Sequence, residues 1–404
     1  MLNQVHFENI KSLADVTIDL ERLTVLVGPN GCGKSTVLDQ VDRLCAFSRP
    51  ASYDAKRREF DQGPRRDLVV SSGRCRRFAS KTPMIWRGRF ANGTSLLSLV
   101  HSVVPDGLED LELAIFDDVL LASLNSRRSF EHLLPLATDQ VTPRLLWENP
   151  DYGNDVYAPV TARLGDLEND DYSDDLERFL ATGATKSSRL RLNPWAIAKD
   201  SPIALEPRLR ADGFGLPSVL NYMRGRDPEV VEAITRDLRA VVPQVRQLHF
   251  DPVNMESEHP HLPPTFGMTM QISFAGGAKV PADQVSDGTL ITLALLTALH
   301  AKGEPSVILL DDIDHGLHLS AQYTLIKAIR GVMEARPELQ IICTSHAPVL
   351  LDSFDVKEVR VMALDKEGAT RVKPLAELPN LERWTSMGTG ELWANFGEDW
   401  VLDG

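Results

Sequence analysis

The sequence has few cysteines, few aromatic residues and no long apolar run. Its four cysteines are spread over 404 residues with no metal-ligand spacing, which excludes a zinc motif and a disulfide framework. No run of about 18 apolar residues occurs, so no membrane span is expected. The first residues do not join a basic segment to an apolar one, so no secretory signal is expected either. We therefore predict a protein of the reducing cytoplasm with no membrane contact.

Charge is the next feature, because acidic residues outnumber basic ones. The net charge of -14 and pI of about 5.2 argue against a protein coated by nucleic acid, although bulk charge does not exclude local patches. Residues 56–89 are rich in Lys and Arg, whereas residues 151–177 are strongly acidic. Two interpretations stay open: solvated faces of an insertion, or a basic stretch that binds a polyanion or an acidic partner.

A glycine-rich loop carries the clearest chemistry. The residues Gly28 to Ser35 fit G-x-x-x-x-G-K-[ST] between an apolar run, Leu23 to Val27, and a helical pattern from Lys34 to about Ala46. Glycines allow backbone N–H groups to face phosphate oxygens, and the helix adds its positive N-terminal end. The lysine supplies a mobile charge to the phosphates, and the serine hydroxyl is a ligand for Mg²⁺. The predicted ATP-binding residues here are Asn30, Gly31, Cys32, Gly33, Lys34, Ser35 and Thr36.

An acidic strand end supplies the second half of such a site. The apolar run Val307 to Leu310 ends in Asp311 and Asp312. We predict that Asp311 holds Mg²⁺ and that Asp312 orients or deprotonates the attacking water, with Asp314 a lesser candidate. The side chain of Asp312 is one methylene shorter than that of a Glu, so its carboxylate reaches less far toward the water. We therefore predict slow hydrolysis, since a misplacement of about 1 Å can cost on the order of a hundredfold in rate.

Two further motifs acquire meaning from their order along the chain. Ser286 and Gly288 precede an apolar helix from Leu290, and His346 follows an apolar run that ends at Cys343. Taken alone, the first is an ordinary helix cap and the second a structural histidine. In the order phosphate loop, Ser-Gly corner, acidic strand end and histidine, they predict a second anion-binding corner and a sensor of the γ-phosphate.

This series resembles the ABC/SMC/RecF superfamily and, more narrowly, bacterial AAA-type ATP-binding proteins related to the overcoming-lysogenization-defect ATPases. The segments that carry the resemblance are Phe7 to Leu13, Leu26 to Gly31, Asp212 to Pro217, Val285 to Thr289, Gly316 to His318 and Thr344 to Pro348. Three departures are Asp312 in place of Glu, Leu319 where Pro is common, and the lack of a recognisable Gln-loop residue.

The resemblance implies an α/β fold. We expect an ABC-type P-loop NTPase head, with a mixed central sheet, flanking helices and an antiparallel N-terminal β subdomain, interrupted by an α-rich insertion. The implied segments are residues 1–47 and 205–365 for the head, 48–204 for the insertion and 366–404 for a tail. Helices are predicted at Leu111 to Leu124 and Asp174 to Ala181. The sequence has no sustained heptad repeat, so a long coiled-coil arm is not expected. The tail is rich in tryptophan, which predicts docking on its own core or, alternatively, an interface anchor.

The resemblance also implies a mechanism. Two heads would pack head to tail around ATP and Mg²⁺, so that Ser286 and Gly288 of one copy complete the site of the other in a homodimer or higher homo-oligomer. Asp312, His346 and Lys34 would serve hydrolysis. The role expected first is phage defence or nucleic-acid surveillance with a separate nuclease or toxin effector, because no Toprim-like domain follows the ATPase segments. The alternatives are a RecF-like repair ATPase that binds DNA, a non-hydrolysing nucleotide-gated scaffold and, least favoured, a transporter subunit.

Overall fold

The computed structural model describes residues 1–47, 53–54, 59–60, 84–92, 95–103, 110–116, 119–124, 144–145, 186–255, 265–301, 306–384 and 386–403. The strands are β1 (Leu2–Ile10), β2 (Leu13–Asp19), β3 (Leu23–Val27), β4 (Tyr53–Asp54), β5 (Glu59–Phe60), β6 (Met84–Asn92), β7 (Ser95–Val103), β8 (Asp110–Phe116), β9 (Val119–Leu124), β10 (Arg144–Leu145), β11 (Ser187–Leu190), β12 (Ser201–Pro202), β13 (Val245–Met255), β14 (Thr265–Phe274), β15 (Lys279–Pro281), β16 (Val307–Leu310), β17 (Gln340–Thr344), β18 (Val359–Leu364) and β19 (Thr370–Pro374). The helices are α1 (Lys34–Phe47), α2 (Pro194–Ala198), α3 (Leu216–Arg226), α4 (Pro228–Val241), α5 (Asp287–His300), α6 (Leu319–Ala335), α7 (Pro348–Leu351), α8 (Thr389–Phe396) and α9 (Asp399–Leu402).

A six-stranded sheet in the order β11–β16–β17–β3–β18–β19 forms the centre of the described structure. Its strands run parallel except for β19, which is antiparallel to β18. Every residue of β3, β16 and β17 is buried, which explains the continuous apolar runs of the sequence at these places. Because parallel strands end at the same edge, the segments that follow β3, β11, β16 and β17 meet there.

The N-terminal β subdomain is larger than the sequence indicated. Strands β1 and β2 continue through β6, β7, β8 and β9 in a sheet that is antiparallel up to β9, and β10 adds parallel to β9. Trp86 of β6 is buried and donates its indole N–H to Gln40 of α1 at 2.8 Å, so this sheet packs on the first helix.

The predicted helix over residues 111–124 is therefore wrong. The segment alternates apolar residues, Leu111, Leu113 and Ile115, with smaller or polar ones, and this period of two is typical of a β-strand. In the structure Leu111 pairs with Leu124 across β8 and β9. Hence the insertion residues that the structure describes before residue 186 lie mostly in β-strands, and the expectation of an α-rich insertion concerns mostly residues outside the described ranges. The predicted helix at 174–181 and the acidic stretch 151–177 lie outside the described residues, as does most of the basic stretch 56–89.

The second half of the head adds a helical lobe. Helices α3, α4 and α5 pack on an antiparallel sheet of β12 to β15, around a core that includes Leu238, Met270 and Leu293. Strand β11 pairs with β16 and so belongs to the central sheet, although the sequence placed residues 187–190 in the insertion.

The tail packs on the head. Trp400, 9 % exposed, and Val401 join the core that lies between the central sheet and α6, and Trp384 contacts Phe396 with ring centroids 5.3 Å apart. These contacts agree with docking of the tail on its own core. In the part of the chain that the structure describes, no helix is long and apolar enough to cross a membrane.

Candidate nucleotide site

Glycines shape the loop that follows β3. Gly28 has φ +143°, and a Cβ there would lie 2.1 Å from the carbonyl oxygen of Met362 on the neighbouring β18. Gly33 has φ +103°, and its Cβ would lie 2.8 Å from Ser12 Oγ. Both positions combine a left-handed backbone with a close approach, so other residues would displace the loop.

Strand β19 supports this loop from behind. Thr370 Oγ1 lies 2.9 Å from the carbonyl oxygen of Cys32 and 2.9 Å from Ser12 Oγ, and the Thr370 side chain is fully buried. Cys32 is buried as well, and burial raises the pKa of its thiol. Thr370 was not predicted from the sequence, because nothing in its own segment, TRVKP, indicates a contact with residues more than 300 positions earlier.

Lys34 and Ser35 lie at the start of α1, where the motif predicted them. The Lys34 ammonium donates to the carbonyl oxygens of Gly28 at 2.8 Å and Pro29 at 3.0 Å and is buried within the loop. Ser35 Oγ donates to Asp311 Oδ1 at 2.9 Å, and Thr344 Oγ1 lies 3.1 Å from the same oxygen.

This donor set fits magnesium. A hydroxyl and a carboxylate oxygen are hard ligands, and Mg²⁺ typically takes one or two protein oxygens and completes its shell with phosphates and water. Ser35 Oγ and Asp311 Oδ1 lie 2.9 Å apart, so these two residues are the candidate ligands. The other loop residues flank them: Asn30 and Gly31 are exposed at the tip, and Thr36 is half-buried in the first turn of α1.

Asp312 and His346 come together at the ends of β16 and β17. His346 Nε2 lies 3.7 Å from Asp312 Oδ1, and the two side chains are 41 % and 52 % exposed. The backbone of Asp312 is left-handed, with φ +51°, and its N–H donates to Thr344 Oγ1 at 2.8 Å. Asp and Asn adopt this conformation more readily than longer side chains, which agrees with Asp rather than Glu at this position. Asp314 differs, because its Oδ1 is buried with no hydrogen-bond partner among the described residues; Asp312 is therefore the better candidate.

The Ser-Gly corner stands at the start of α5. Ser286 is exposed at the N-cap, and its Oγ bonds Thr289 Oγ1 at 2.8 Å instead of capping the helix. Gly288 is buried against Gly316, since a Cβ at Gly288 would lie 2.4 Å from the Gly316 carbonyl oxygen. Within the described ranges no hydrogen bond joins Ser286 or Gly288 to the phosphate loop, so the structure does not bring this corner to the loop of its own chain.

Arg189 is a charged residue of the site that was not predicted from the sequence. Its Nη2 donates to Asp311 Oδ2 at 3.0 Å and to the Ser35 carbonyl oxygen at 3.3 Å, and its Nη1 forms an ion pair with Asp39 of α1. Burial lowers the pKa of this guanidinium, and the bond to Asp311 acts in the opposite direction. The only indication of Arg189 in the sequence is that it lies in a short segment of β-type, SSRL, which the sequence does not identify as a strand of the central sheet.

The segment after β11 also reaches the site. Residues 191–193 line a cavity of about 410 Å³ together with Asp311, Asp312 and His315. Asn193 in this segment caps α2 by accepting from the Trp195 N–H at 2.9 Å. Residues 191–193 therefore lie between the end of β11 and the acidic end of β16.

Comparison with known proteins finds two families of ATPase domains. Residues 1–72 match the family described as "AAA ATPase domain", and residues 152–352 match the family described as "AAA domain, putative AbiEii toxin, Type IV TA system". A search of curated proteins finds no significant match.

Two solved structures of SMC heads have the same fold. An SMC head bound to the C-terminal winged-helix domain of ScpA has 14% identity and a TM-score of 0.54, and the match covers 96% of this chain and 99% of the other. An SMC head with an extended coiled coil, bound to the C-terminal domain of ScpA derived from Pyrococcus furiosus, has 13% identity and a TM-score of 0.50, with 96% and 99% covered. At such identities the likeness shows the fold alone.

Proposed function

Because the chain belongs to the ABC/SMC-like P-loop ATPases, we propose that it is a slow ATPase whose heads dimerise around ATP. The observation that carries this proposal is the split between the two halves of the site. Lys34, Ser35 and Asp311 are gathered at one sheet edge, whereas Ser286 is exposed at a helix start with no described bond to that loop.

A second copy can supply what one chain leaves open. A phosphate loop covers one side of a triphosphate, and the positive N-terminal end of α5 in the other copy can cover the opposite side. ATP then holds two heads together, and its hydrolysis releases them. Ser35 and Asp311 would hold Mg²⁺, which would supply positive charge to the phosphates. Asp312 and His346 are the residues that we propose to act on the attacking water and the γ-phosphate.

Sedimentation tests the dimer directly. We expect Asp312→Ala to bind ATP without hydrolysing it and to sediment as a dimer only with ATP, whereas Lys34→Ala stays monomeric because it binds no nucleotide. One mass for both variants, with and without ATP, contradicts ATP-driven association.

A mixing experiment tests which copy supplies the Ser-Gly corner. Ser286→Arg spoils the corner and Lys34→Ala spoils the loop, so each variant alone has no complete site. In a mixed pair the intact loop of one chain meets the intact corner of the other. We expect about one quarter of the wild-type rate at equal amounts, because half of random pairs are mixed and each has one complete site. No recovery on mixing would contradict a shared site.

For the biological role we propose phage defence or nucleic-acid surveillance in the cytoplasm, with the effector on a separate chain, on the basis of the sequence resemblance to overcoming-lysogenization-defect ATPases. The family matched by residues 152–352 is described as "AAA domain, putative AbiEii toxin, Type IV TA system", and the similar SMC heads were solved in complex with domains of ScpA, which supports a partnered head. Purification of Asp312→Ala with ATP, followed by mass spectrometry, should recover a nuclease or toxin that wild type without ATP does not retain. Recovery of the same proteins in both cases contradicts ATP-gated recruitment.

Direct DNA binding is a second candidate, favoured by the basic stretch at residues 56–89. DNA-stimulated ATP hydrolysis that is lost when Arg74, Arg76 and Arg77 are replaced by Gln would support it. If no turnover is measurable with or without DNA, a nucleotide-gated scaffold is the better description.

A further inference from the structure

Both oxygens of the Asp311 carboxylate are engaged, but by different kinds of group. Oδ1 accepts from Ser35 Oγ at 2.9 Å and lies 3.1 Å from Thr344 Oγ1, while Oδ2 accepts from Arg189 Nη2 at 3.0 Å. The hydroxyls therefore contact the oxygen that faces the loop, and the guanidinium contacts the other one. This arrangement fixes the carboxylate plane, since rotation would break bonds on both sides.

Arg189 is itself held in place. Its side chain is only 9 % exposed, its Nη1 pairs with Asp39 in the second turn of α1, and its Nη2 also reaches the Ser35 carbonyl oxygen. One planar guanidinium thus joins β11, α1 and the acidic end of β16. A lysine could not contact Asp39 and Asp311 in the same way, because an ammonium lacks the two-pronged donor geometry.

The charge of Asp311 creates a problem that Arg189 can solve. A carboxylate beside the loop repels the triphosphate until a cation neutralises it, and this repulsion is strong at a partly buried site. A buried guanidinium at 3.0 Å offsets that charge without occupying Oδ1, the oxygen that faces Ser35.

We propose that Arg189 is a positioning residue that orients Asp311 toward Ser35 and offsets its charge, so that the loop accepts ATP before or without Mg²⁺. This inference rests on the nucleotide site of the proposed function. Its consequence is a low dependence of ATP affinity on magnesium, which is a binding property and does not require turnover.

The test compares the Kd of a fluorescent ATP analogue in EDTA with its Kd in saturating Mg²⁺, for wild type and Arg189→Gln. In EDTA we expect the variant to bind on the order of tenfold more weakly, because the Asp311 charge is exposed to the phosphates. In Mg²⁺ the variant should stay within about twofold of wild type, because the cation takes over the neutralisation. The ratio of the two Kd values therefore rises on the order of tenfold.

Arg210→Gln is the matched control. Arg210 pairs with Asp212 at 3.5 Å and is 67 % exposed, and no described bond joins it to Asp311. The control variant removes one arginine charge and leaves the Asp311 contact intact, so its Kd ratio should remain within about twofold of wild type if the effect depends on that contact. Arg189→Lys keeps the charge but lacks the two-pronged donor geometry, so it should recover only part of the affinity lost in EDTA.

Several results would overturn the proposal. Equal losses in EDTA and in Mg²⁺ would show a structural role, and unchanged Kd values in both buffers would show that Arg189 has no role in binding. Should Arg189→Gln not fold, the wild-type protein still decides, because a protein that binds the analogue only in the presence of Mg²⁺ contradicts the proposal. If wild type binds no nucleotide in either buffer, the proposed function fails too; if it binds and only the ratio is unaffected, this inference alone is wrong.

Discussion

The contact between Gly288 and Gly316 gives a prediction whose size follows from the structure. In Gly288→Ala the new methyl would lie 2.4 Å from the Gly316 carbonyl oxygen, a distance that real contacts do not reach. The start of α5 and the turn after β16 must therefore separate by close to 1 Å. That turn begins at Asp312, whose carbonyl oxygen accepts from the N–H of His315 at 2.9 Å, so the displacement reaches the residue predicted to act on water.

Misplacement of about 1 Å at a catalytic group costs on the order of a hundredfold in rate. Overpacking costs about 1–3 kcal/mol, and the better helix propensity of Ala returns up to about 1 kcal/mol, so we expect a net loss of roughly 1 kcal/mol. Steady-state ATP hydrolysis should fall strongly while the Kd for ATP stays near wild type, because the phosphate loop is untouched. Thermal unfolding should show only a small drop, of about 1 °C.

Gly331→Ala is the control for helix propensity, since Gly331 lies in α6 and an added methyl group would have nothing within 4 Å of it. It should be neutral or slightly stabilising and should keep full activity. Mixing Gly288→Ala with Lys34→Ala then separates two causes. The mixed pair has an intact Ser-Gly corner facing the intact loop of the Gly288→Ala chain, so damage to the donated corner would be rescued, whereas a displaced Asp312 would not. Wild-type rates in Gly288→Ala alone would refute the steric argument.

Three other perturbations test the supports of the site. Thr370→Val removes the hydroxyl that lies 2.9 Å from the Cys32 carbonyl oxygen. Calorimetry should show ATP binding several-fold weaker, with little change in melting temperature. Unchanged affinity would mean that β19 does not shape the loop. Gln340→Met removes the buried hydrogen-bond partner of the Leu2 N–H, the Leu2 carbonyl and the Glu21 carbonyl. In urea denaturation the free energy of unfolding should therefore fall by roughly 3–6 kcal/mol. The control Gln247→Met, at an exposed position, should show almost no change. Thiol labelling at pH 8 in a Cys75→Ser background should be slow in the native protein and fast in guanidinium. Burial raises the pKa of the thiols of Cys32 and Cys343 and so leaves little reactive thiolate. Rapid labelling of the native protein would contradict the buried placement of these thiols.

The extent of prediction from sequence differed between parts of the molecule for physical reasons. Buried parallel strands require continuous apolar runs, and for this reason β3, β16 and β17 were recognised within a residue of their ends. Residues 111–124 were misread, because their alternation of apolar and smaller residues is short and a run rich in Leu and Ala also favours a helix.

By itself the sequence determined the local chemistry: a glycine loop that must curve around phosphates, a lysine and serine at a helix start, and carboxylates at the end of a buried strand. Each of these features is specified by neighbours within a few residues, so the local sequence motif is enough to predict its local backbone geometry. The tertiary structure decided the rest, because Arg189 reaches Asp311 across 122 positions and Thr370 supports Cys32 across 338. Such contacts depend on which strands become neighbours in the sheet, and that order is set by the packing of the whole head.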